Sequence, residues 1–143
     1  MPLPRAEAET FVSDRRKGVL VTQRQSDGRP QLSNIMYAVI DGHVRISVTD
    51  TRAKTANIRH DPRVSLHVTS DDFWTYVVVE STAVLSPVAS EPGDATCQAL
   101  LELYTTASGQ QHPDPDDFHR AMVAERRLYI SFPLERMYPV TAA

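Results

Sequence analysis

Apolar and polar residues alternate with a period of two along much of this chain. Between His43 and Thr49, Val44, Ile46 and Val48 face one side, and His43, Arg45, Ser47 and Thr49 the other. That is the pattern of a half-buried strand. Val64, Leu66 and Val68 alternate with Ser65 and His67 in the same way. Val19–Thr22, Pro30 to about Val39 and Arg127–Phe132 read as further strands, and Met137–Val140 as a short terminal one. Phe73 to Leu85 is rich in aromatic and β-branched residues, which predicts one long strand. Ser26-Asp27-Gly28 and Asp71-Asp72 mark turns, and Asp41-Gly42 predicts a tight hairpin.

Helical patterns are fewer. Pro4 to about Arg16 carries acids early and bases late, which complements a helix dipole, and Gly18 is a natural stop. Ser90 is the expected cap of a helix reaching about Thr106. Asp114-Pro115-Asp116-Asp117 is a well-formed helix start, with Phe118 and Met122 four apart on one face. A short helix is also expected after Asp50. Because tight turns join the early strands, the pattern predicts a mainly β, mostly antiparallel barrel with peripheral helices. Neither a dinucleotide-binding nor a P-loop glycine pattern is present.

The 143 residues amount to a single domain, 1–143, long enough for a real core. A net charge of -3 argues against a general nucleic-acid binder. Cys97 is the only cysteine, which excludes an intrachain disulfide and fits a reducing, cytoplasmic setting. No apolar run approaches the ~20 residues needed to cross a bilayer, and the first residues show no hydrophobic signal region. His43, His60, His67, His112 and His119 form no compact metal motif, so no metal site is expected. Nothing in the local sequence marks an activated serine, so any redox chemistry would fall to a cofactor.

The most informative stretch is Asp50-Thr51-Arg52-Ala53-Lys54-Thr55-Ala56-Asn57-Ile58. A helix start carries spare N–H groups and partial positive charge, so acids usually occupy it. Here Arg52 and Lys54 stand there instead. An anion such as phosphate would relieve that arrangement; the bland alternative is a solvated helix face. Ser47 and Thr49 lead into the cluster and could complete a phosphate cradle with Thr55. Gln31, Ser33 and Asn34 either read the polar edge of a ring or belong to an exposed edge strand. Trp74 and Tyr76, with Val78 on one strand face, could stack on a flat cofactor, fill a subunit interface or pack the core.

Taken in order, several segments resemble the pyridoxamine-phosphate-oxidase-like split-barrel flavoproteins, in particular their deazaflavin (F420)-dependent branch. They are Gly18–Thr22, Asp27–Asn34, Arg52–Ile58, Asp61-Pro62-Arg63, Trp74–Glu80 and Arg127 to Tyr138. The resemblance implies a homodimer of split β-barrels with two cofactor sites at the interface. It puts the cofactor phosphate by Arg52, Lys54 and Thr55, with Ser47 and Thr49 lining the same area. Gln31, Ser33 and Asn34 match positions near the ring or its linker, and Trp74 and Tyr76 would approach from the partner subunit. Arg59, Arg63 and Arg126 could meet the anionic tail of F420. FMN, which shares the tricyclic ring, ribityl chain and phosphate, is the alternative cofactor. No C-terminal extension of the kind that closes over pyridoxine phosphate is evident, which makes pyridoxamine phosphate oxidation the poorer expectation. The implied activity is hydride transfer from reduced F420 to an electron-poor organic acceptor. An FMN-dependent oxidase or reductase and a non-catalytic F420-binding protein are the rival readings.

Overall fold

The computed structural model describes residues 2–141, which form nine strands and four helices. Their order is α1 (Arg5–Ser13), β1 (Lys17–Gln23), β2 (Pro30–Met36), β3 (Ala38–Ile40), β4 (His43–Thr49), α2 (Ala53–His60), β5 (Arg63–Thr69), β6 (Tyr76–Thr82), β7 (Val84–Leu85), α3 (Ala95–Ser108), α4 (Pro115–Ala124), β8 (Arg127–Pro133) and β9 (Arg136–Tyr138). Two sheets result, β2-β1-β5-β6-β9 and β3-β4-β8-β7. Every pair of named strands is antiparallel. The sheets stay open and pack face to face, so the predicted barrel is a split one.

Alternation decides which side of each strand is dry. Leu20, Leu66, Val77 and Val79 from the five-stranded sheet meet Val44, Ile46, Leu128, Ile130 and Phe132 from the other. Ala8 and Val12 of α1 join this core. A second cluster lies behind the four-stranded sheet, where Ala38 and Ile40 of β3 pack on Leu100 and Leu103 of α3 and Phe118 of α4. The polar face of β4 therefore looks toward the layer that holds α3 and α4.

Two predicted strands are each divided between the sheets. Pro30 to Val39 breaks at Tyr37, whose N–H donates to the Arg16 carbonyl (2.8 Å) and whose hydroxyl donates to the Val12 carbonyl (2.6 Å). Tyr37 is fully buried, and burial pushes its phenol pKa far up. One contact lies on the last turn of α1 and the other on the link from α1 to β1, so together they turn the chain there and feed β3 into the second sheet. Phe73 to Leu85 is shortened at one end and broken at the other. Asp72 accepts from the Trp74 N–H (3.1 Å), and Phe73 has φ 79°, so the turn extends through both aromatics and β6 begins at Tyr76. At Ala83 the N–H donates to Pro62 (2.8 Å), and Val84–Leu85 then pairs with β8.

Cap positions shift as well. Asp94, not Ser90, caps α3: it accepts from the N–H groups of Cys97 (2.8 Å), Ser90 (2.9 Å) and Glu91 (3.2 Å). Carboxylate charge and three donors outweigh a hydroxyl at that place. The capping of α4 by Asp114 followed by Pro115 is as the sequence predicts. Asp41 and Gly42 both have positive φ (52° and 74°), as a two-residue hairpin turn requires. No described helix is long and apolar enough to cross a membrane.

Gly18 does not stop α1, which ends at Ser13; it lies within β1. A Cβ there would sit 2.8 Å from the His67 carbonyl oxygen and 3.0 Å from Leu66 Cδ1. Backbone cannot yield as a flexible side chain can. Gly18→Ala is expected to cost about 1–3 kcal/mol through overpacking at the β1–β5 junction. Urea unfolding with an unchanged slope and a lower midpoint would show it; an unchanged midpoint would refute it.

Candidate functional site

A cavity of about 610 Å³ opens where the end of β2, the end of β4, the start of α2 and the α3–α4 pair converge. Its polar side carries Asn34, Ser47, Thr49, Arg52, Lys54 and Arg127. Its apolar side is formed by Leu100, Leu103 and Tyr104 of α3 with Phe118 and Met122 of α4.

The cations gather for separate reasons. Arg52 occupies the cap position of α2, which receives no side-chain hydrogen bond at its first turn. Lys54 follows within that turn. Arg127 comes from β8, where antiparallel register sets it opposite Thr49. Its Nη1 donates to Ser47 Oγ (3.3 Å), and its Nε pairs with Glu125 (3.0 Å). The Lys54 pKa is held below its ordinary value, first by partial burial and then by the positive charges of Arg52 and Arg127. The cluster is thus short of negative charge. It can take a phosphate or another compact anion.

The remaining predicted residues divide by position. Thr55 is fully buried, and its hydroxyl donates to the Thr49 carbonyl (2.9 Å), tying the helix to the strand end instead of facing the cavity. Gln31 and Ser33 are partly buried and hydrogen-bonded to each other (3.0 Å), while their neighbour Asn34 lines the cavity. Trp74 and Tyr76 stand elsewhere, toward the outer side of the five-stranded sheet. Trp74 is 77% exposed in its turn, and Tyr76 stacks on His67 at 5.4 Å. A second cavity of about 500 Å³ lies there, lined by Lys17, His67, Thr69 and Asp71. Asn34, Ile35 and Met36 line both cavities, so the end of β2 forms a shared ridge.

The three arginines assigned to an anionic tail are already engaged. Arg59 (2.6 Å) and Arg126 (3.0 Å) both pair with Asp50, and those hydrogen bonds hold the Asp50 carboxyl below its usual range. Arg63 grips Asp61 through two contacts (3.0 and 2.7 Å), which lowers that carboxyl to about 2. Arg127 is the residue that sequence reasoning missed as part of the site. It marked only a strand start, and nothing local signals its place, because the β4–β8 pairing reaches across three helices and three strands of intervening chain.

Two open antiparallel sheets around a shared core, with a cationic cleft at the strand-to-helix junction, define a split β-barrel protein. The chain belongs to the pyridoxamine 5'-phosphate oxidase family, an oxidoreductase family, whose pattern it matches over residues 4–129. Solved structures share this fold. One is a conserved hypothetical protein, Rv2991, from Mycobacterium tuberculosis: 24% identity, 99% of this chain and 92% of that one covered, TM-score 0.74. Another is described as an F420 reductase: 23% identity, 90% and 94% covered, TM-score 0.66. A third is a FAD-binding protein from Mesorhizobium loti: 20% identity, 94% and 90% covered, TM-score 0.66.

Proposed function

We propose that this protein is an F420-dependent oxidoreductase that passes a hydride to an electron-poor double bond of a small organic acceptor, of the enone, quinone or tetrapyrrole kind. The observation that carries the reading is the Arg52/Lys54/Arg127 cluster, in which Glu125 pairs with Arg127, at a helix start with no side-chain cap and set across one cavity from an apolar wall. A ligand with an anionic end and a flat ring fits both sides. Arg52, Lys54, Ser47 and Thr49 hold the phosphate. Asn34, with Gln31 and Ser33 beside it, lies along the path from phosphate to ring. When bound, F420 supplies a two-electron hydride donor. Leu103, Tyr104 and Phe118 give the cleft a dry side that excludes water from the anionic end and strengthens its charge pairing. The likeness to an F420 reductase adds support for the deazaflavin.

The working form is a homodimer with two cofactor sites at the interface, the partner's copy of the Trp74–Tyr76 segment approaching each ring. Support comes from the outer face of the five-stranded sheet. The strand registers align Asn34, Val19, His67, Val78 and Tyr138 across that face. Leu32 (61% exposed), Met36 (57%) and Tyr138 (45%) leave it apolar and open.

The deciding experiment is titration of the cofactor-free protein with F420 and, separately, with FMN, followed by fluorescence and calorimetry. Selective F420 binding, followed by oxidation of the reduced form in an acceptor screen, is the expected result. Selective FMN binding would move the protein to the flavin branch. Stoichiometric F420 binding with no turnover of any acceptor would make it a binding protein. Binding of neither would remove the reading.

A further inference from the structure

Only two of the fifteen basic residues in this chain are lysines, Lys17 and Lys54; the other thirteen are arginines. Arginine stays charged, whereas a lysine amine can lose its proton and become a nucleophile. Lys54 stands where that difference matters. It lines the larger apolar-walled cavity beside Arg52 and Arg127 and is only partly buried. The acids near it in the chain and beside β8 are engaged elsewhere: Asp50 by Arg59 and Arg126, Glu125 by Arg127. Burial and the two guanidinium charges hold the Lys54 pKa below its ordinary value, which favours the reactive neutral amine. Lys17 differs on each count. It is exposed, and the second cavity that it lines also carries Asp71.

A phosphate held by this cluster brings whatever it carries close to the Lys54 amine. In an acyl phosphate the electrophilic carbonyl carbon is bonded directly to the bridging oxygen of the phosphate. Recruitment by Arg52 and Arg127 therefore also presents the acyl group to the one nucleophile among these cations.

We propose that Lys54 is an acylation site, modified by small acyl phosphates that Arg52 and Arg127 recruit through the phosphate group, and that the acylated protein loses its hold on the cofactor. The neutral amine attacks the carbonyl carbon. A C–N bond forms, and the bond from that carbon to the bridging oxygen breaks. The electron pair leaves with the phosphate, which also takes the proton shed by the amine; nothing is oxidised or reduced. The guanidinium groups stabilise the negative charge that grows on the bridging oxygen. A bound phosphate draws a proton toward the amine, yet Arg52 and Arg127 still offset its charge once that proton has gone. The resulting amide is neutral, and its acyl group occupies space that a cofactor phosphate needs. The acylation rests only on anion binding by the cluster; its effect on the cofactor rests on the reading above.

The test treats cofactor-free protein with acetyl phosphate and reads the acetyl content of Lys54 and Lys17 from one digest by mass spectrometry. Lys54 is expected to react about tenfold faster than Lys17, or more, because the bound reagent is held against its amine. Inorganic phosphate should slow the reaction at Lys54 and leave Lys17 unchanged. Acetic anhydride, which carries no phosphate, should narrow the gap between the two lysines. Equal rates with acetyl phosphate, the same ratio with both reagents, or no competition by phosphate would each overturn the proposal. Protein acetylated at Lys54 is then titrated with F420 and FMN. A loss of roughly 10- to 100-fold is expected for whichever one the untreated protein binds, with the melting temperature retained. Unchanged affinity would overturn the effect on the cofactor. Selective acetylation of Lys54 in a protein that binds neither cofactor would leave the acylation standing and sink the cofactor reading. Cofactor binding that Lys54→Ala weakens, with Lys54 no more reactive than Lys17, would sink only this proposal.

Discussion

Lys54→Ala is expected to weaken binding of a phosphate-bearing cofactor by roughly 10- to 100-fold, the scale of one charge-assisted hydrogen bond. The fold should remain intact. Lys54 is only partly buried, and its pKa is already depressed by burial and by Arg52 and Arg127. The free protein therefore carries unfavourable positive charge that alanine would relieve, so thermal stability should hold or rise slightly. Calorimetric titration of wild type and variant with the same cofactor measures the loss. A pH series adds a sign. The bound phosphate favours the charged amine, so binding at alkaline pH takes up a proton. Affinity in the wild type should decline as pH rises through the lowered pKa of free Lys54, and the decline should vanish in Lys54→Ala. Equal affinity in the two proteins would refute the phosphate assignment.

A second large effect is expected from the outer sheet face. Leu32 and Met36 stand on β2, at the edge of its sheet, and both are mostly exposed in the single chain. Charging them costs the monomer little, because carboxylates in water need no partner. At an interface the same change removes two apolar contacts and buries two charges. Leu32→Glu/Met36→Glu is expected to raise the dimer dissociation constant by about 1,000-fold or more, at roughly 2 kcal/mol for each lost anchor. Sedimentation equilibrium would show a dimer for the wild type and a monomer for the variant at micromolar concentration. Cofactor affinity should fall when dimerisation is lost, because the proposed site is completed by the partner. A wild type that is monomeric while it binds cofactor would sink the dimer proposal. A variant that is monomeric but binds normally would place the whole site within one chain.

Much of this architecture was legible from residue order because the responsible forces are local. Alternation at His43–Thr49 gives the strand its observed bounds, since each side chain responds only to the two faces of one ribbon. Asp41-Gly42 makes its turn because both positions must reach positive φ, and Asp114-Pro115 starts its helix because an acid and a missing N–H suit that position. The Arg52/Lys54 pair drew attention through a conflict with the helix dipole, which is also a local effect.

Other features depended on partners distant in the chain. Nothing within Pro30–Val39 announces that Tyr37 is pinned to α1, and nothing within Phe73–Leu85 announces the crossing at Ala83 to a second sheet. Ser90 looked like a cap until Asp94 competed for the same N–H groups. Gly18 read as a helix stop, yet its smallness serves the close approach of β5. Arg127 reached the cation cluster through strand register, while Thr55 turned inward to bond the end of β4. The sequence by itself determined the elements, the fold class and the unusual charge at one helix start, all set by neighbours a few residues apart. Only the tertiary structure decided which strands change sheets, which cations converge and which hydroxyl turns inward, because pairing across long loops is not encoded in any single segment.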